Sequence, residues 1–185
     1  MKTLHRLTFR IFRQVHVLVS NREFKMHRIF VYGTLKTDQP NHHVISKGIQ
    51  AGDCQFDGLG MTEAKYPLVI ASRYNVPFLL DAPNVVNSKN VEGEVYSVNE
   101  KMLSLLDGFE RHPQFYTRCE VPILIKDKTE KMWCYLMQNF REHLLQLPTT
   151  PNYDSALHAP YLGGKERPDR EEDRRAFMLE IKENI

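Results

Sequence analysis

Glu110 is a carboxylate placed where a solvated acid is not expected. Met102, Leu106 and Glu110 recur at spacings of four and four, so on one helix they share a face with apolar residues. A carboxyl on such a face loses water, and the negative end of the helix dipole works in the same direction. Both raise its pKa toward the range of a general acid or base at neutral pH. The same residues also fit a helix that frays after Asp107-Gly108, leaving Glu110 in water near Arg111. A second stretch, Tyr32-Gly33-Thr34-Leu35, follows the β-rich run Ile29 to Tyr32. A glycine there lets the chain turn and aims successive N–H groups together, a cradle for a carboxylate or a developing oxyanion. An ordinary turn has the same pattern. With no Gly-Lys-Ser/Thr downstream, a phosphate loop is unsupported.

Other reactive groupings are missing. His42 and His43 are adjacent and cannot share a metal from one helix face. There is no G-x-S-x-G elbow, and Cys54, Cys119 and Cys134 show neither a C-x-x-C nor a finger spacing. They read as reduced thiols serving as small hydrophobes. Tyr66, Tyr116 and Trp133 read as packing aromatics. The expectation is chemistry without a metal or cofactor.

Short elements must position the two stretches. Asn41 is placed to cap a helix from His42 to Lys47 that Gly48 would end, and residues 51–60 read as an irregular strand. Pro67 to Ile70 and Val76 to Leu80 are short apolar runs whose prolines suit strand starts or edges. A cis bond at Val76-Pro77 is compatible with the sequence. Val91 to Val98 alternates as a half-buried strand, and Asn99 caps a helix turning Met102, Leu103, Leu105, Leu106 and Phe109 inward. Tyr116 to Lys126 and Lys131 to Gln138 form a hairpin around Asp127-Lys128-Thr129. The sum is an α+β fold: a small mixed, mostly antiparallel β-barrel of about six strands with flanking helices.

The 185 residues suit one domain with two appendages. Residues 1–26 hold six Lys/Arg against one acid, Glu23, and are either a plain basic extension, bypassed by initiation at Met26, or an amphipathic transit segment. These imply a cytoplasmic or a mitochondrial location respectively. The domain proper is expected over 27–164. Residues 165–185, dense in mixed charge, read as a solvated helix or tail able to recruit a protein partner. Outside the leader there are 19 basic and 22 acidic residues, which gives no support to nucleic-acid binding. No apolar run reaches the ~18 residues of a membrane helix.

Five stretches in order carry a resemblance: Tyr32-Gly33-Thr34-Leu35-Lys36, Gln39-Pro40-Asn41-His42, Tyr66-Pro67-Leu68-Val69-Ile70, Val91-Glu92-Gly93-Glu94-Val95-Tyr96 and Leu106-Asp107-Gly108-Phe109-Glu110. With the late Asn152-Tyr153-Asp154-Ser155, they make the chain similar to the γ-glutamylcyclotransferase-like (AIG2-like) superfamily, nearest its γ-glutamylamine branch, from about Arg28 to Arg170. The resemblance implies a small β-barrel and cyclisation of a γ-glutamyl amine, such as γ-glutamyl-ε-lysine, to 5-oxoproline with release of the amine. It puts the catalytic glutamate on Glu110 and the substrate-binding loop on Tyr32, Gly33, Thr34 and Leu35. Glutathione or γ-glutamyl amino acids as substrates, and a binding module without turnover, are the alternatives it leaves open.

Overall fold

In the computed structural model, residues 25–158, 160–163 and 170–183 are described. The basic leader, residues 1–24 of it, therefore lies outside the described residues. Five strands close a barrel in the order β1 (His27–Val31), β5 (Glu92–Val98), β2 (Cys54–Thr62), β6 (Thr117–Ile125) and β7 (Lys128–Leu136). All neighbours are antiparallel except β1 and β7, which meet parallel at Ile29 and Trp133 and close the ring. The barrel is mixed and mostly antiparallel, as expected. Its strand count is five, because β3 (Leu68–Ala71) and β4 (Val76–Leu79) form a separate two-stranded sheet. Pro77 is tolerated in that small sheet opposite Ile70. Among the described residues the cis X-Pro bond is His112–Pro113, not Val76–Pro77.

Strand alternation divides the core in two. Phe30 and Tyr32, with Val95, Ile123, Met132 and Cys134, join a cluster that holds no helix residue and fills the barrel. Ile29 and Val31, with Tyr96, Val98 and Tyr135, join a second cluster shared with the helices outside. There α1 (His42–Gln50) contributes Ile45, and α2 (Glu100–Phe109) contributes Met102, Leu103 and Leu106. Leu105 and Phe109, expected inward, are 49% and 41% exposed, because the docked stripe is set by 102, 103 and 106.

Local chemistry explains several boundaries. Asn99 caps α2 as expected, its side chain accepting from Met102 N–H at 2.9 Å. Gly48 does not end α1. It lies inside the helix, where a Cβ would come within 2.7 Å of Met102 Sδ, so its bareness lets α1 and α2 touch. The stop comes at Gly52, with φ +74°. Asn41 supplies no side-chain cap to α1. The β6–β7 turn is tighter than expected: Lys126 and Asp127, both at positive φ, connect strands that pair from Ile125 and Lys128 onward.

The charged C-terminal segment departs most from expectation. Within it, α3 (Glu171–Ile181) buries Phe177, Met178 and Ile181 in the cluster outside the barrel, instead of lying free in solvent. Three apolar residues on one face outweigh the charges, which sit on the other. Among the described residues, no helix is long and apolar enough to cross a membrane.

Gly93 fixes the approach of β5 to β1. A Cβ there would lie 2.4 Å from Val31 O and 2.6 Å from the Phe30 ring. Gly93→Ala is therefore expected to cost about 2–4 kcal/mol in urea unfolding. Gly108→Ala, whose Cβ would meet nothing within 4 Å on α2, is expected to gain about 0.5–1 kcal/mol.

Candidate active site

Beyond Val31 the chain leaves the barrel and turns through Gly33, Thr34 and Leu35. The carbonyls of this turn are all engaged. Gly33 O accepts from Lys36 N–H at 3.1 Å, Thr34 O from Asn41 N–H at 2.9 Å, and Leu35 O lies 3.1 Å from His42 Nδ1. No described residue accepts from the N–H groups of Gly33, Thr34 or Leu35, and all three residues line a cavity of ≈ 380 Å³. The result is a cradle whose acceptors are spent and whose donors are not. Gly33 does not serve through a positive φ. It serves through space, since a Cβ would press on Pro77 Cγ at 3.1 Å.

The cradle is held from behind. Glu94, buried on β5, accepts from Thr37 N–H at 2.9 Å and from Tyr96 O–H at 2.7 Å. Lys36 is also buried and donates to Asn152 Oδ1, and burial pulls its pKa down. Ser155 N–H donates to Gln39 Oε1 at 2.8 Å, so the late Asn152–Ser155 stretch braces the loop. Asn41 uses its side chain here, donating to Thr34 Oγ1 at 2.9 Å and to Tyr161 Oη at 3.1 Å. The Tyr32 hydroxyl is committed to Tyr135 O at 2.8 Å, which makes its side chain part of the barrel interior.

Glu110 lines the same cavity. The helix does not fray at Gly108: Glu110 is the C-cap of α2, its N–H still bonded to Leu106 O at 2.9 Å, and Arg111 then turns away at φ +54°. The residue is half-buried, with protein packed around it and one side toward the cavity. Burial alone pushes its pKa up to about 8. Pro77 links the two halves of the site, touching the space above Gly33 and accepting from the Tyr116 hydroxyl at 3.4 Å, while Tyr116 N–H reaches Glu110 O at 3.4 Å.

One turn before Glu110, Asp107 ties α2 to the barrel. It accepts from the Tyr135 hydroxyl at 2.7 Å through Oδ1 and from Arg118 Nη1 at 3.0 Å through Oδ2. The Arg118 guanidinium lies 4.8 Å over the Trp133 ring. Trp133, Tyr66 and Tyr116 all pack as expected, and Tyr116 also lines the cavity.

Residues 29–155 match the family described as "Gamma-glutamyl cyclotransferase, AIG2-like". The chain belongs to this family. It is 40% identical over 135 residues to the gamma-glutamylaminecyclotransferase C of Danio rerio, covering 70% of this chain and 87% of that one. It is 40% identical over 139 residues to the gamma-glutamylaminecyclotransferase of Homo sapiens, covering 69% and 89%. A crystal structure of an AIG2-like protein from Mus musculus superposes with a TM-score of 0.69 at 35% identity, over 77% of this chain and 99% of that chain. The AIG2-like barrel is thus the scaffold on which both relatives are named as enzymes.

Sequence reasoning brought Glu110 and the loop together but missed Asn41, Tyr74, Phe115 and Tyr161 as wall residues of this family member, and the contribution of α3. Aromatics near a core carry no sequence mark that separates wall from interior. Asn41 did carry a signal, a capping type at a helix start, and the structure spends it on Thr34 instead.

Two outcomes test this geometry. Asp107→Ala strands both Arg118 and the Tyr135 hydroxyl and is expected to cost about 2–3 kcal/mol in denaturant unfolding. For Glu110 the folded pKa lies above the unfolded value, so its contribution is fully present below about pH 4.5 and is lost as pH rises through about 8. Glu110→Gln should therefore gain on wild type by at most about 1.4 kcal/mol per pH unit between those limits in urea unfolding at stepped pH. A difference that stays flat would place the carboxyl in water.

Proposed function

We propose that this chain is a γ-glutamylamine cyclotransferase: it cyclises the γ-glutamyl group of γ-glutamyl-ε-lysine or a related γ-glutamyl amine to 5-oxoproline and frees the amine. The observation that carries the reading is the pairing, in one cavity, of spare N–H donors at Gly33 to Leu35 with a desolvated carboxyl at Glu110. The names of the Danio rerio and Homo sapiens relatives support the amine-directed reading.

The chemistry is intramolecular. The substrate's α-amine nitrogen attacks its own γ-carbonyl carbon, a C–N bond closes a five-membered ring, and the carbonyl oxygen takes the charge. Glu110 removes the proton from the attacking nitrogen and gives it to the leaving nitrogen as the original amide C–N bond breaks. From the neutral α-amine one proton moves and no water is consumed; the ammonium form, which has no lone pair, first loses its extra proton, and the freed amine regains one in solvent. A carboxyl near 8 is far better matched to an amine than an ordinary carboxylate, so neither transfer is steeply uphill. The cradle's N–H groups hold the substrate carboxylate or the oxyanion. Fixing the folded substrate supplies the rest, since well-oriented intramolecular attack reaches effective molarities of ~10⁵–10⁸ M.

Glu110→Gln keeps the shape and loses the base. We expect at least a ~10²-fold loss in kcat with γ-glutamyl-ε-lysine, read as 5-oxoproline by mass spectrometry. Wild-type turnover by that variant removes the assignment. Because the base must be ionised, wild-type kcat/KM should climb with pH and level off above about 8. Glutathione and a γ-glutamyl amino acid in parallel assays decide the substrate class.

A further inference from the structure

Helix α3 lies beyond residues 29–155, the part matched to the family, yet Asp173, Arg174 and Phe177 on it line the cavity that Glu110 shares. Two contacts from this end of the chain fall on one segment, the turn from Arg111 to Tyr116 that follows Glu110. The Phe177 ring lies 5.4 Å from Phe115. Lys182, buried just past the helix, donates through Nζ to Gln114 O at 3.1 Å. The turn is short and closed on itself: Phe115 N–H donates to Arg111 O at 2.9 Å, and Tyr116 N–H reaches Glu110 O at 3.4 Å. Whatever moves Gln114 or Phe115 therefore moves the backbone of Glu110.

The helix is itself anchored to other elements. Phe177 also lies 5.3 Å from Tyr74, Glu180 pairs with Arg73, and Arg141 N–H donates to Ile181 O at 2.8 Å. Burial, not a neighbouring charge, is what raises the Glu110 pKa. Tyr32 after β1, and Cys134 and Tyr135 on β7, have their own pKa values raised by burial and are neutral near pH 8. The other titratable groups around it are Asp107 on α2, already bound by Arg118, then Arg111, His112 and Tyr116 in the turn, and Asp173 and Arg174 on α3.

We infer that α3 is a positioning element for Glu110: Phe177 and Lys182 clamp the turn behind the carboxyl and keep solvent from that side of the cavity. A segment outside the family match thereby controls a group inside it. The inference rests on the cyclotransferase reading above only for its effect on rate; the effect on Glu110 is measurable without turnover.

The test uses the full chain, with the Glu110 carboxyl followed through a pH titration by NMR of carbon-labelled glutamate and assigned by its loss in Glu110→Gln. In wild type it should titrate near 8. Phe177→Ala opens that side to water and should lower the midpoint by about one unit. Phe177→Leu, which keeps apolar bulk, should hold the wild-type midpoint, and so should Asp173→Asn, which alters charge but not bulk. The kcat/KM profile with γ-glutamyl-ε-lysine should follow. In Phe177→Ala its rise moves to lower pH by the same amount and its plateau falls, because a less basic carboxylate is a poorer match for an amine. If Phe177→Ala does not fold, Lys182→Met, which loses the bond to Gln114 and keeps the apolar stem, decides in its place with a lowering of about half a unit. A midpoint unmoved in the deciding variant overturns the inference. So does a wild-type midpoint in the ordinary glutamate range, or a shift in Asp173→Asn as large as in the deciding variant. If the midpoint moves as expected but wild type forms no 5-oxoproline, the hold of α3 on Glu110 stands and the cyclotransferase reading falls.

Discussion

The structure depends on crowding one carboxyl with protein next to unspent backbone donors. Glu110 has no value as a base for amines if solvent lowers its pKa to that of an ordinary glutamate, and burial alone holds it near 8. Such a group strains the fold at neutral pH, so α2 must be docked firmly enough to bear it. Met102, Leu103 and Leu106 supply the apolar contact, and Asp107, bound to both Tyr135 and Arg118, locks the last turn in register with β6 and β7. Glu110 sits at the end of an element whose freedom has been removed from several sides.

The loop solves the opposite problem. A turn with spare donors is costly unless its remaining polar groups are satisfied. Here every carbonyl from Gly33 to Leu35 has a partner, and Glu94, Asn152 and Gln39 hold the flanks. The ordered stretches scattered through the chain thus converge on one task. Gly93 lets β5 close on β1, Glu94 beside it ties down Thr37, and Asn152 and Ser155 return from the far end to back the loop. The proposed reaction, in which the substrate attacks itself, would ask the protein for shape and one proton carrier, the two things that a braced loop and a crowded carboxyl can offer.

The family-matched part contains Glu110 and the cradle, while α3 adds a wall from outside it. The charged C-terminal segment, unreadable as composition, acquires meaning only from the placement of Phe177.

By itself, the sequence determined the barrel-like alternation, the cap at Asn99, the loop after β1 and the spacing that puts Glu110 on the Met102–Leu106 face. These are local or periodic properties, written in residues a few positions apart. It also determined family membership through ordered motifs. Only the tertiary structure decided that Glu110 is crowded enough for its pKa to rise, because the cavity it shares with Pro77, Tyr116 and Tyr135 is assembled from several elements. It moved Asn41 from helix cap to loop brace and Gly48 from helix stop to helix contact, since long-range neighbours outcompeted the local signal. It also docked part of the expected solvated helix or tail as α3, which buries one face and places three residues in the cavity wall. In the loop it changed the reason for a glycine: Gly33 is needed for the room that Pro77 leaves it, a fact that no spacing within the Tyr32–Leu35 stretch contains.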